Sequence, residues 1–277
     1  MKGKIVFFGA GPYVSRTVEV LIREFEVYVF TTETDRNDPL LLYCIHTNIP
    51  HFSIKKFDHE VIVDIKKIGA KIAVLAYFGL IIPDDVLDLF DLGIINIHPS
   101  LLPKLRGPTP VQAAILAGEK TTGVSIIKLD EEVDHGPILG MINHTIAPND
   151  TSDSLYRTLF KMGGDLLIRA LPKYIAGKLA LQEQDHSKAT FTERLTRYSG
   201  LIDLTKPPQP LQLDRMIRAY YPWPGVWFRT KLNGVERTVK LFPEQKIQVE
   251  GKNIMKLSDF ANGYPEGRLI LSKLSIS

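Results

Sequence analysis

Apolar residues along the first 176 positions recur with two different periods. Short runs rich in Val, Ile and Phe, which are typical of buried strands, occur at Lys4–Gly9, Val27–Thr31, Lys71–Ala76, Gly93–Ile97 and Gly123–Leu129. Apolar residues at helical spacing predict helices at Tyr13–Phe25, Pro39–Asn48, Asp58–Gly69, Pro110–Gly118 and Ser152–Ala176. An alternating stretch at 137–147 predicts one more strand, at the sheet edge. Strands that alternate with helices predict an α/β fold with a doubly wound parallel sheet.

The pattern changes in the last third of the chain. Residues 178–188 are polar and without periodicity, and we interpret them as a linker. Beyond them the sequence predicts one helix at 211–220 and several short strands separated by turns, which is typical of a small open barrel. The predicted organisation is therefore a first domain at 1–177, the linker at 178–188 and a second domain at 189–277.

Charge separates the two parts of the chain. The net charge of the 277 residues is +3, but residues 1–187 carry −4 and residues 188–277 carry +7. A basic second domain indicates a polyanionic partner, although a lysine-rich solvated surface would give the same count. Cys44 is the sole cysteine, so neither a disulfide framework nor a thiolate metal site is possible within one chain. We expect no metal site, because the histidines outside the central stretch lack ligand spacing.

The amino terminus enters a strand pattern directly, without the layout of a signal peptide. No apolar run approaches the length of a membrane span. We therefore expect a cytoplasmic protein that does not bind a membrane. We also expect a monomer.

The candidate chemistry lies where the strand at Gly93–Ile97 runs into a loop rich in Pro and Gly. Asn96 and His98 are two residues apart and point to the same side of this strand, at its carboxyl end. Open α/β sheets bind their ligands at that end. An amide and an imidazole there can stabilise an oxyanion and transfer a proton. The alternative is a polar pair that only satisfies the backbone of the loop.

A second stretch, at 122–138, favours the chemical interpretation. The two stretches read N-I-H-P-S-L-L-P-K-x-R-G-x-x-P and T-G-V-S-I-I-K-L-D-E-E-V-D-x-G-P-I. Together they resemble the N10-formyltetrahydrofolate-dependent formyltransferases, with Asn96, His98 and Asp134 at the positions of the catalytic trio. The later run I-R-A-Y-Y-P-W-P-G-V-W is similar to the methionyl-tRNA formyltransferase branch. This resemblance implies a Rossmann-like catalytic domain followed by an OB-like β-barrel.

The resemblance also implies a reaction. A primary amine attacks the formyl carbon of N10-formyltetrahydrofolate, and the tetrahedral oxyanion collapses with N10 as the leaving group. Asn96 would donate its amide N–H to that oxyanion, and His98 would donate to it or relay the proton to N10. Asp134 would hold the imidazole and favour its charged form. We expect the neighbouring His135 to point elsewhere.

The resemblance further implies binding residues. Contacts to the folate are expected from Leu80, Ile81, Ile82, Ser100, Leu101, Leu102, Pro103 and Asp130, although the first three also fit a plain core position. Contacts to initiator methionyl-tRNA are expected from Arg36, Arg106, Arg194, Arg197, Arg215 and Arg218. The turn at 32–39 is shorter and less basic than the loop usual in this branch, with Arg36 as its only base.

Three functions follow from these observations. The first is formylation of the amino group of methionyl-initiator tRNA, which the basic second domain and the P-W-P-G run favour. The second is the same reaction on an amino-sugar nucleotide, which the catalytic half alone does not exclude. The third is a non-catalytic RNA-binding protein that keeps only the fold, and the intact trio speaks against it.

Overall fold

The computed structural model describes residues 2–32 and 37–276, and the chain folds into two compact units. The first unit comprises Met1–Gly107, Thr121–Thr145 and Tyr156–Phe191. The second comprises Pro108–Lys120, Ile146–Leu155 and Thr192–Ser277. Each unit thus draws on three separate stretches of chain. The division into domains at 177 and 189 stays a prediction.

The first unit is built on a seven-stranded sheet. Its strands are β1 (Gly3–Gly9), β2 (Phe25–Thr31), β3 (His51–Ser53), β4 (Ile72–Ala76), β5 (Ile94–His98), β6 (Thr121–Lys128) and β7 (Ile138–Thr145). They lie in the order β3-β2-β1-β4-β5-β6-β7. Strands β1 to β5 are parallel, whereas β6 runs antiparallel to β5 and β7 antiparallel to β6. The α/β fold is confirmed. The predicted parallel sheet holds for β1 to β5 but not for β6 and β7, because apolar runs carry no information on strand direction.

Helices cover both faces of this sheet. They are α1 (Ser15–Glu24), α2 (Pro39–His46), α3 (His59–Ile68), the short α4 (Asp84–Leu87) and α6 (Ser152–Ile175). On one face, Ile65 of α3 packs in a core cluster with Phe8 of β1 and Ile94 of β5. On the other face, Gly163 of α6 lies so close to β5 that an added Cβ would come within 2.5 Å of the Ile97 side chain. The strand that carries Asn96 is therefore covered on both sides.

The second unit contains a separate antiparallel sheet. Helix α5 (Pro110–Ala117) packs against α7 (Pro210–Ala219). The strands are β8 (Val226–Leu232), β9 (Val235–Phe242), β10 (Lys246–Val249) and β11 (Met255–Lys256), in the order β11-β10-β9-β8. Helices α8 (Leu257–Gly263) and α9 (Gly267–Lys273) end the described chain. Buried Phe228, Val239, Ile247 and Phe260 contribute to the interior of this unit.

The predicted OB-like barrel is not confirmed. Within the described residues, the outer strands β8 and β11 do not pair with each other, so the four strands form an open sheet. The sequence patterns also did not predict β3, α4, β11, α8 and α9, all of which are short. Across the described ranges, no helix combines the length and apolar character that crossing a bilayer requires.

Candidate active site

The last strand residues of β5 place two polar side chains inside the first unit. Asn96 and His98 are 6% and 4% exposed, and both lie on the same face of the strand because they are two residues apart. Leu75 of β4 and Ile127 of β6 flank Asn96 in the sheet. Pro99 follows directly, and the chain leaves the sheet in the loop that begins there. The sheet thus fixes the backbone from which both side chains project.

Asp134 reaches these residues from a loop that folds back on the sheet. Because β6 is antiparallel to β5, Lys128 at its end pairs with Ile95, at the start of β5. The loop that follows must therefore return towards the carboxyl end of β5. Asp134 adopts a left-handed backbone conformation in this loop, with φ of +50°, which is uncommon for a residue other than glycine.

The Asp134 carboxylate connects the two residues of β5. Its Oδ1 accepts a hydrogen bond from Asn96 Nδ2 at 3.1 Å. Its Oδ2 accepts from the backbone N–H of Gly107 at 2.7 Å and lies 3.4 Å from His98 Nδ1. The structure therefore brings Asn96, His98 and Asp134 together, as the sequence predicted.

The other ring nitrogen of His98 faces the backbone. His98 Nε2 is 2.9 Å from the carbonyl oxygen of Leu105. A carbonyl oxygen only accepts hydrogen bonds, so Nε2 carries a proton in this arrangement. The two ring nitrogens of His98 thus face the Leu105 carbonyl and the Asp134 carboxylate.

This geometry suits stabilisation of an oxyanion. An asparagine Nδ2 carries two hydrogens, and one of them is used by Asp134. The second makes no hydrogen bond to the described residues, so it can be donated to a reacting group. A donor whose orientation is fixed in advance by a buried carboxylate needs little reorganisation during the reaction.

The buried position of Arg106 does not fit the predicted contact to tRNA. Its side chain is buried, with 3% of the residue exposed, and its guanidinium donates to Gln184 Oε1 at 2.8 Å and to His186 Nδ1 at 2.8 Å. A phosphate of a bound tRNA would have to displace these contacts. We therefore correct this expectation and interpret Arg106 as part of the support of the candidate site.

Gly136 and Gln184 support the site, although neither was among the predicted site residues. A Cβ added to Gly136 would lie 1.9 Å from the carbonyl oxygen of Lys128, so only glycine fits this close approach. Gln184 Nε2 donates to the backbone carbonyls of Asp134 and Gly136. The resemblance included Gly136 as part of its motif, but a single glutamine in a polar segment carries no local signal.

The loop that follows β5 is held by its own side chains. Ser100 Oγ donates to the Lys104 carbonyl at 2.7 Å, and Ser125 Oγ donates to the Ser100 carbonyl at 2.7 Å. Leu102 is buried in a cluster with Ile127, and the Leu101 side chain lies against Gly123. Of the folate contacts predicted here, Ser100 has its hydroxyl committed to the loop. Leu101, Leu102 and Pro103 belong to the loop that follows His98.

The other predicted folate contacts fall in two places. Leu80 and Ile82 pack against the core cluster that contains Phe8, whereas Ile81 is 82% exposed. Asp130 binds His135, with 2.7 Å between Asp130 Oδ2 and His135 Nδ1. The part of these residues in folate binding stays a prediction.

A cavity of about 470 Å³ lies near the amino end of β5. Its lining includes Gly93, Ile94, Lys128, Asp130 and His135. Among the described residues, Asp130 is the one predicted folate contact that lines this cavity. Because Asn96, His98 and Asp134 are not part of this lining, we do not place the reaction in the cavity.

The remaining predicted tRNA contacts lie in the second unit. Arg194 and Arg197 are exposed, and the Arg197 guanidinium lies 5.4 Å from the centre of the Trp227 ring. Arg215 is half-buried. Arg218 is half-buried and bound to Asp214 at 2.9 Å. Arg36 lies outside the described residues. In the described part of the chain, no cluster of three or more His, Cys, Asp or Glu side chains is placed to hold a metal ion.

Comparison with known proteins identifies the family. The model of the formyl transferase family matches residues 16–171. The methionyl-tRNA formyltransferase of Chloroflexus aggregans is 37% identical over 235 residues, which cover 81% of this chain and 75% of that protein. The chain therefore belongs to the formyltransferase family, and the resemblance to its methionyl-tRNA formyltransferase branch is confirmed. Members of this family use N10-formyltetrahydrofolate as the formyl donor.

Solved structures agree on the fold. The 4-N formyltransferase of Francisella tularensis superposes with a TM-score of 0.70 at 19% identity, over 87% of this chain and 98% of that chain. HypX of Aquifex aeolicus in complex with tetrahydrofolic acid gives a TM-score of 0.64 at 18% identity, over 86% of this chain and 37% of that chain. At such identities the likeness shows the fold alone, and that fold is Rossmann-like.

Proposed function

We propose that the protein transfers the formyl group of N10-formyltetrahydrofolate to the amino group of methionyl-initiator tRNA, for translation initiation. The observation that carries this proposal is the buried arrangement of Asn96, His98 and Asp134 at the end of β5. A relative named methionyl-tRNA formyltransferase, alike over four fifths of the chain, supports the choice of acceptor.

In the proposed mechanism the three residues have separate parts. Asn96 donates its second amide hydrogen to the oxyanion that forms when the amine attacks the formyl carbon. His98 handles the proton that passes from the amine to the leaving nitrogen, and for this step its Nε2 exchanges the Leu105 carbonyl for the substrate. Asp134 orients both side chains through its two oxygens, since each oxygen faces one of them. The folate, when bound, supplies the formyl carbon and the leaving nitrogen.

We also propose binding surfaces for the two substrates. The folate would bind along the loop Ser100–Pro103 and the segment Leu80–Ile82, with Asp130 at the edge. The tRNA would bind the basic second part of the chain, where Arg194 and Arg197 are exposed. We further propose that the protein works in the cytoplasm, as a monomer.

One assay distinguishes this function from the two alternative functions. The intact protein is incubated with N10-formyltetrahydrofolate and either charged initiator tRNA or an amino-sugar nucleotide, and formylated product is measured. Transfer to methionyl-initiator tRNA supports the proposal. Transfer to the sugar alone would replace it with the second hypothesis. Binding of tRNA without transfer to either acceptor would favour a non-catalytic RNA-binding protein.

A further inference from the structure

Gln184 contacts the catalytic loop from the segment predicted as a linker. It is 5% exposed, while its neighbours Glu183 and Asp185 are exposed. Its Nε2 donates to the carbonyl oxygen of Asp134 at 2.9 Å and to that of Gly136 at 2.7 Å. Both amide hydrogens of Gln184 are thus used to hold the backbone on either side of His135.

Arg106 fixes the orientation of the Gln184 amide. The Oε1 atom accepts a hydrogen bond from the Arg106 guanidinium at 2.8 Å. A reversed amide would turn its NH₂ group towards the guanidinium donor and its oxygen towards two carbonyl acceptors. The charged Arg106 guanidinium therefore orients both N–H groups of Gln184 towards the carbonyl oxygens of the loop.

The loop depends on such support for a geometric reason. Its Asp134 has a left-handed backbone, a conformation that persists only where the surroundings hold it. The side chain of Asp134 is bound by Asn96 and Gly107, and its main chain is bound by Gln184. Because Gly107 follows Arg106 in sequence, one short loop supports Asp134 at its carboxylate directly and at its backbone through Gln184.

The segment around Gln184 is itself anchored to the first unit. Gln182 exchanges two backbone hydrogen bonds with Ile138, at 2.8 and 3.0 Å, where β7 begins. Thr190 accepts the backbone N–H of Leu105 on its hydroxyl at 2.9 Å and that of Arg106 on its carbonyl at 2.8 Å. Gln184 is therefore held between two backbone attachments and not by its side chain alone.

We propose that Gln184 is a positioning residue for formyl transfer, which holds Asp134 in the conformation that orients Asn96 and His98. This inference rests on the proposed function. Among the described residues, Gln184 makes no hydrogen bond to the side chains of the three catalytic candidates, so it acts through the backbone of the loop.

The test compares Gln184→Glu with Gln182→Glu in the full chain. Glutamate at 184 keeps the size and the contact with Arg106 but cannot donate to the two carbonyls. The side chain of Gln182 is exposed, so the control makes the same change in charge and composition two residues away. For Gln184→Glu we expect kcat to fall about ten- to a hundredfold. We expect KM for both substrates to stay within about twofold, because the substituted side chain belongs to neither proposed binding surface.

A second measurement does not depend on activity. Hydrogen exchange followed by mass spectrometry should show faster exchange in the peptide that covers 130–136 for Gln184→Glu, and unchanged exchange for Gln182→Glu. If Gln184→Glu does not fold, Gln184→Met takes its place, since it keeps the length and removes only the polar atoms.

Equal kcat and equal exchange in the Gln184 and Gln182 variants would overturn the inference. A loss that lies entirely in KM would overturn it as well. Failure of the proposed function has a different signature, because the unaltered protein would then not formylate methionyl-tRNA. The exchange experiment would still decide whether Gln184 holds the loop.

Discussion

The amide of Asn96 donates a hydrogen bond to the carboxylate of Asp134 across 3.1 Å. The same carboxylate lies 3.4 Å from Nδ1 of His98. One acidic side chain thus orients both the candidate oxyanion donor and the candidate proton carrier. A change at Asp134 should therefore disturb two functions at once, whereas a change at Asn96 should disturb one.

Asp134→Asn should lower kcat strongly and the free energy of unfolding moderately. An amide in this place would set its NH₂ group against at least one of the donors Asn96, Gly107 and His98. Losing one buried hydrogen bond should reduce the free energy of unfolding by about 1–3 kcal/mol. We expect kcat to fall by roughly two to four decades, since the imidazole loses its charged partner. Urea unfolding and steady-state kinetics measure the two effects, and a kcat close to that of the unaltered protein would remove Asp134 from the trio.

Asn96→Ala should reduce kcat by about two to three decades, because it removes one preorganised oxyanion donor. Affinity for the folate should change little, since the donor acts mainly on the charge that develops during the reaction. Asn143→Ala is the matched control, because Asn143 is exposed on β7. His98→Ala should lose nearly all turnover and still fold. If the Asn96 and His98 variants keep the activity of the control, the site lies elsewhere.

Gly136→Ala should destabilise the first unit strongly. The new methyl group would stand 1.9 Å from the Lys128 carbonyl oxygen, and the obstacle is backbone that cannot move aside. We expect the free energy of unfolding to fall by about 3 kcal/mol or more. Gly263→Ala is the control, because nothing lies within 4 Å of its added Cβ. In urea unfolding, similar midpoints for the two variants would contradict the close approach of the Asp134 loop to β6.

The sequence predicted those features of the fold and the site that depend on residues close together in the chain. The spacing of Asn96 and His98 placed both side chains on one face of β5, and the second motif supplied Asp134. The direction of strand β6 was not predictable in this way, because the same apolar run fits a parallel and an antiparallel strand. Gln184 was missed for a related reason: its partners are more than 45 residues away in sequence, so no local pattern marks it.

The basic residues show a second limit of sequence reasoning. Arg106 and Arg194 look alike in the sequence, yet one is buried against Gln184 and the other is exposed. Burial depends on where the chain returns in space, which neither charge nor spacing determines. Net charge therefore predicted a basic region but not which of its side chains can meet a phosphate.

Cys44 provides a pH-dependent prediction. Burial raises the pKa of its thiol to about 11 from an ordinary value of 9.0, and the nearby Asp38 carboxylate acts in the same direction. Between these values the unfolded chain loses the proton while the folded chain keeps it, so the contribution of Cys44 to stability falls as pH rises. The loss should amount to about 2–3 kcal/mol.

The comparison with Cys44→Ala isolates this effect, because tyrosines that titrate in the same range are common to both proteins. From pH 8 to pH 11, urea unfolding should show the unaltered protein losing stability relative to the variant. A thiol reagent should also react slowly with the native protein at pH 8 and rapidly after unfolding. Rapid labelling of the native protein would contradict the burial of Cys44.

The last prediction concerns the salt dependence of tRNA binding. Phosphate contacts release counterions, so log affinity should fall linearly with log salt, at roughly 0.7–0.9 per contact. Arg194 is exposed and belongs to the proposed tRNA surface, so Arg194→Ala should reduce the slope by about that amount. Arg218 is the comparison in the same unit, because it is also a predicted tRNA contact but its side chain is 14% exposed and held by Asp214. Fluorescence anisotropy with the intact chain, at salt from about 50 to 300 mM, gives both slopes. Folate affinity should stay unchanged in either variant. If Arg218→Ala lowers the slope as much as Arg194→Ala, exposure does not select the phosphate ligands, and the tRNA surface must be sought nearer to α7.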